Sequence, residues 1–136
     1  MVIIDDEEYV RAALQRVLSS AKIEVGVAAE AGSGMALVRE LRADIVIVDI
    51  VLPGMDGVAA IAQMRQEFPQ LAIVAISGGG NFGLSEYQPD AISTKSYLAA
   101  STAAGADAVI AKPFETREIY AQINKALASK GIAQAI

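Results

Sequence analysis

The sequence predicts an α/β fold: one doubly wound, five-stranded parallel sheet with helices on both faces. Strand-like apolar runs alternate with stretches of helical apolar spacing, five times over. The central runs, 45–48 (IVIV) and 71–76 (LAIVAI), contain no polar residue. Unbroken runs of that kind mark parallel strands buried on both sides, and right-handed crossovers then wind the sheet in both directions. The length, 136 residues, is that of one ordinary domain, and a chain that is 54% hydrophobic can fill its core. No repeat or linker interrupts it, so residues 1–130 are expected to form one domain and 131–136 a tail.

The first strand is Val2-Ile3-Ile4, ending at Asp5-Asp6. A helix over 7–20 follows, with Val10, Leu14, Val17 and Leu18 at helical spacing and Asp6, Glu7 and Glu8 loading its N-terminal turn. Glu24 to Ala29 reads as a weaker strand. Ser33 is expected to cap a helix reaching about Arg42, with Met35, Leu37, Val38 and Leu41 inside. The strand at 45–48 delivers Asp49 to a Pro53-Gly54 turn. Gly57 to Phe68 carries Val58, Ile61 and Met64 on one face, and Pro69 stops it. After the strand at 71–76 comes a glycine-rich polar stretch, then a helix over about 91–104 ending at Gly105. Ala108 to Ala111 is the last strand. Lys112-Pro113-Phe114 leads into a final helix with Ile119, Ile123 and Leu127 inside.

Composition excludes several classes. Net charge is −5 and no basic run stands out, so direct nucleic-acid binding is not expected. No apolar run approaches the roughly 18 to 20 residues of a membrane span, and MVII before Asp5 is too short for a signal peptide. A cytoplasmic protein is expected. With neither cysteine nor histidine, thiolate and imidazole metal sites are impossible, so any metal must be a hard cation held by oxygen.

Ligands of open parallel sheets sit at the carboxyl ends of the strands. Those ends carry Asp5-Asp6, Asp49, Ser77 and Lys112. Each alone has an ordinary reading: a helix cap, a turn residue, a surface hydroxyl, a solvated lysine. Together they converge on one edge. Three carboxylates repel unless a cation joins them, and a sparse all-oxygen site suits Mg²⁺. Carboxylate, metal, amine and hydroxyl are the parts that stabilise a phosphoryl group.

The residues IIDDEE, VDIVLPGMDG, AISG and AKPF resemble the receiver domain of two-component response regulators, the CheY-like family, over residues 2 to about 128. The resemblance implies the flavodoxin-like (βα)5 arrangement with strand order 2-1-3-4-5. It implies that Asp49 is the phosphoacceptor, taking its phosphoryl group from a sensor histidine kinase or a histidine phosphotransfer protein. It implies that Asp6, Asp49 and the Val51 carbonyl bind Mg²⁺ (or Mn²⁺), with Asp5 acting through water. Lys112 would contact the phosphate, Ser77 would hydrogen-bond it, Lys112-Pro113 would be cis, and Gly57 would start the third helix. The signal would pass by conformational change to an output domain or target protein outside these residues. Few residues precede Asp5, which suggests a trimmed chain.

The sequence departs from the family in two places. Val109 stands where an aromatic usually lies three residues before the lysine, and the interval from Ser77 to Lys112 is longer than usual. Signalling is therefore expected to run through the loop after the fourth strand, where Gly78-Gly79-Gly80 gives mobility and close backbone approach and Phe82, Tyr87 and Tyr97 are apolar surface to dock a partner or pack on the fourth helix; a floppy insertion is the alternative reading. Receivers can pair as homodimers through a face that includes the altered 78–109 region, so that pairing is not carried over. Val51 and Gly79 offer no side chain to orient water, which predicts slow hydrolysis of an aspartyl phosphate. Three rivals stand beside this reading. GGGNFG at 78–83 fits a dinucleotide pattern, but no helix opens on it and Lys112 replaces the expected acid. An aspartyl-phosphate phosphatase would need an acid at Val51. A receiver acting only as a protein-binding module would not need the complete set of Asp5, Asp6, Asp49, Ser77 and Lys112.

Overall fold

The computed structural model describes residues 1–21, 23–52, 55–77 and 99–132. The turn at Pro53-Gly54, the stretch 78–98 with Phe82, Tyr87, Tyr97 and most of the helix expected from about 91, and the end of the tail lie outside the described residues. The elements are β1 (Val2–Ile4), α1 (Glu8–Ser20), β2 (Gly26–Ala28), α2 (Ala31–Leu41), β3 (Ile45–Asp49), β4 (Val51–Leu52), β5 (Met55–Asp56), α3 (Gly57–Glu67), β6 (Ala72–Ser77), α4 (99–104), β7 (Ala108–Ala111) and α5 (Thr116–Ala128). The main sheet is parallel in the order β2-β1-β3-β6-β7. This is the expected order of five strands. Only the numbering shifts, because the short antiparallel ladder β4–β5 intervenes.

Strand parity explains why the central runs lack polar residues. Val2, Ile4, Val46, Val48, Ile73 and Ala75 face one way, onto Met35 and Val38 of α2 and Ile61 and Met64 of α3. Ile3, Ile45, Ile47, Val74, Ile76 and Ile110 face the other, onto Leu14 and Leu18 of α1 and Ile119 and Ile123 of α5. Successive side chains enter opposite cores, so neither parity can be polar.

Three local expectations are corrected. Helix α2 begins at Ala31 with Glu30 as N-cap, so Ser33 lies within its first turn and its hydroxyl donates to the Glu30 carbonyl (3.2 Å). The buried face explains the earlier start: Ala31, Gly34, Met35 and Val38 follow helical spacing, while Leu41 is exposed. Gly34 lets the helix lie close on β1, because a Cβ there would stand 2.3 Å from Ile4 Cδ1. Helix α3 buries Gly57, Ala60, Ile61 and Met64, leaving Val58 only half-buried. The second strand is shorter than Glu24 to Ala29, spanning Gly26–Ala28.

The edge away from the strand tips is tied by Arg65 of α3. Its guanidinium donates to the carbonyls of Leu71 (2.7 Å) and Gly105 (2.8 Å) and to Asp107 Oδ2 (2.7 Å). Asp107 also accepts from the Ile73 N–H and pairs with Lys130. Gly105 follows α4 with φ 130° and lies against the Arg65 side chain, a backbone region that favours glycine. Among the described residues, no helix is long and apolar enough to cross a membrane.

Candidate functional site

Parity also selects what reaches the carboxyl edge. Asp5 continues the alternation of Ile3, Asp49 that of Ile47, and Lys112 that of Ile110, all on the α1/α5 face. The strand registers set these tips side by side. Lys112 Nζ lies 3.1 Å from Asp49 Oδ2, 3.1 Å from Asp5 Oδ2 and 3.0 Å from Glu7 Oε1. The Lys112-Pro113 bond is cis, as the resemblance implied. The Lys112 N–H donates to the Ser77 carbonyl (2.8 Å), which seats the lysine beside the tip of β6.

Each carboxylate is held differently. Asp49 is buried; its Oδ1 accepts from the Val51 N–H (2.8 Å) and its Oδ2 from Lys112. Burial pushes its carboxyl up to about 6, and the charge of Asp5 adds to the rise, against the pull of the Val51 N–H and Lys112. Burial would lower the Lys112 ammonium, but Asp49, Glu7 and Asp5 together hold it above its ordinary value. Asp5 is fully buried, and its Oδ1 accepts from the Glu7 N–H (2.9 Å). Its Oδ2 lies close to Lys112 but off hydrogen-bonding geometry, so that buried oxygen has no hydrogen-bond partner among the described residues. Asp6 is exposed at the rim.

Asp5, Asp6 and Asp49 each bring a carboxylate oxygen within 4.8 Å of the others. A buried oxygen without a hydrogen bond, in an all-oxygen donor set, fits a hard divalent cation. Ser77 is buried at the tip of β6, one residue past Ile76, the register partner of Asp49. Val51 pairs with Asp56 in the β4–β5 ladder, and its side chain is 55% exposed. Asp56 caps α3 by accepting from the Val58 N–H (2.9 Å). Gly57 does start α3: a Cβ there would stand 2.2 Å from the Ile50 Cα, so only glycine lets the helix begin against the chain leaving β3. The half-buried Val109 sits in β7 opposite Ala75.

Two features escape the sequence reading. Glu7, counted there only as a helix-loading charge, is a direct partner of Lys112. A cleft of about 320 Å³ opens beside the site, lined by Tyr9, Val10, Ala13, Lys112, Pro113 and Phe114. The signal for Glu7 was its position two residues after Asp5. The cleft has none, because it joins segments a hundred residues apart.

Known proteins resemble this chain in sequence and fold. A family model described as "Response regulator receiver domain" matches residues 1–88. The chemotaxis protein CheY of Listeria monocytogenes is 30% identical over 129 residues, covering 93% of this chain and 96% of its own. The transcriptional regulatory protein AfsQ1 of Streptomyces coelicolor is 28% identical, covering 93% of this chain but 50% of that protein. The receiver domain of NtrX from Brucella abortus superposes with a TM-score of 0.79 at 27% identity, covering 94% of this chain and 98% of that one.

Proposed function

The chain belongs to the family of response regulator receiver domains, and on that premise we propose that Asp49 is its phosphoacceptor. The observation that carries this assignment is the single ammonium of Lys112 set against the buried carboxylates of Asp49 and Asp5 at the carboxyl edge of the sheet. An ionised Asp49 oxygen attacks phosphorus. The new O–P bond forms as the P–N bond of a phosphohistidine breaks, and the electron pair leaves with the imidazole nitrogen. The Val51 N–H fixes Asp49 Oδ1, and Lys112 offsets the charge gathering on the phosphoryl oxygens. The hydroxyl of Ser77 is proposed to donate to one of those oxygens. Mg²⁺ (or Mn²⁺), held by Asp5, Asp6, Asp49 and the Val51 carbonyl, would supply the positive charge these carboxylates lack.

The donor inferred is a sensor histidine kinase or a histidine phosphotransfer protein, and the receiver of the change an output domain or target protein. Repeated turnover of phosphate esters is not proposed, since a valine stands at position 51 where a second acid would be needed. The test is incubation with acetyl phosphate and Mg²⁺ followed by intact-mass measurement. A species heavier by one phosphoryl group, absent in Asp49→Asn and in EDTA, is expected. An unlabelled wild-type chain would leave a protein-binding module as the better reading.

A further inference from the structure

Glu7 is a fourth carboxylate at the site, and its side chain serves neither the helix nor the metal cluster. It occupies the N-cap of α1, yet among the described residues its side chain makes no capping hydrogen bond. It also stands outside the set formed by Asp5, Asp6 and Asp49. Its Oε1 instead accepts from Lys112 Nζ at 3.0 Å. Lys112 thus divides its donors between Asp49 and Glu7 while lying close to Asp5.

A transferring phosphoryl group changes this balance. It brings about two negative charges, and it needs a donor from Lys112. Glu7 opposes both requirements, as a competing acceptor for Lys112 and as a like charge beside the approaching donor. We propose that Glu7 is a specificity-determining residue that holds Lys112 in a resting ion pair and disfavours phosphorylation by small, free, dianionic donors. This rests on Asp49 being the phosphoacceptor. The step itself is unchanged: an Asp49 O–P bond forms, the P–O bond of acetyl phosphate breaks, and acetate leaves with the electron pair.

Glu7→Gln keeps the shape and an acceptor oxygen and removes only the charge. One charge acting on a dianion several ångströms away predicts an increase of about three- to tenfold in the second-order rate constant with acetyl phosphate at low ionic strength. At about 1 M salt the gain should shrink below about twofold, whereas a purely structural role would not follow the salt. Glu7→Asp, which keeps the charge, should stay near the wild-type rate. In metal-free protein without donor, hydrogen exchange of the Lys112 ammonium, read by nitrogen-15 NMR, should be faster in Glu7→Gln, because a charge-assisted bond is lost. A Gln variant labelled no faster than a wild type that is labelled at Asp49, or one with unchanged ammonium exchange, overturns the role of Glu7 alone. Absence of labelling at Asp49 in the wild type overturns the underlying assignment and this inference with it.

Discussion

Replacing Asp49 with Asn should stabilise the metal-free protein at neutral pH and do little in acid. The Asp49 carboxyl is raised from an ordinary 3.8 to about 6, first by burial and then by Asp5. Between those values the folded protein keeps a proton on Asp49 that the unfolded chain has released. Stability therefore falls as pH rises through this window and levels off above the folded value. The displacement corresponds to about 3 kcal/mol at neutral pH. Asn does not recover all of it. An amide that turns Oδ1 to the Val51 N–H presents its NH2 to Lys112, where the carboxylate accepted a hydrogen bond at 3.1 Å. The net gain is about 1 to 2 kcal/mol, or a few degrees in Tm. Urea unfolding in EDTA at about pH 7.5 and about pH 4 measures it, since every other titrating group is common to both proteins. Mg²⁺ should then stabilise the wild type more than the variant and narrow the difference. An Asn variant no more stable at neutral pH, or an advantage that persists undiminished in acid, would refute the claim that a buried, repelled carboxylate strains this edge.

Three further outcomes follow from the same geometry. Gly57→Ala places a Cβ 2.2 Å from the Ile50 Cα and 2.4 Å from its carbonyl oxygen, so thermal unfolding should show a loss of at least about 2 kcal/mol; a wild-type melting curve would mean that α3 can start elsewhere. Arg65→Met removes the donors to Leu71, Gly105 and Asp107, and urea unfolding should show a loss of about 2 to 4 kcal/mol, whereas a loss below about 0.5 kcal/mol would reduce the network to surface ornament. Val51→Asn puts a group able to orient water beside Asp49, and the labelled species should decay faster by intact mass once donor is removed; an unchanged decay would mean that water reaches the phosphate by another path.

The sheet was legible because both of its faces are covered. Ile45 to Val48 could sit nowhere but between two apolar layers, and the alternation of Ile47 and Val48 between the α1/α5 and α2/α3 cores is what the run encodes. Helix starts were less legible where packing overrides capping chemistry. Ser33 is the better cap by residue type, but burial of Ala31 and the close seat of Gly34 on Ile4 draw the start of α2 three residues earlier, with Glu30 as its N-cap. The ladder β4–β5 was not legible, since two-residue strands carry no periodicity.

The site divides along the same line. Ile3-x-Asp5, Ile47-x-Asp49 and Ile110-x-Lys112 share one pattern: an apolar residue of the α1/α5 core, then a charge two positions on. That pattern alone places two acids and a base on one face of one edge. Glu7 extends it by a further two positions. It was hidden because a run of acids before a helix reads as helix loading, and on that reading parity stops at Asp6. The N-cap residue is not helical, however: Glu7 has φ −91° and ψ 116°, an extended backbone. Its side chain meets the same lysine as Asp5 and Asp49. Parity carried as far as the N-cap therefore predicts a third acid on the lysine's face, and the ordinary helix-loading reading of Asp6, Glu7 and Glu8 holds for the last of them, Glu8, in the first turn of α1.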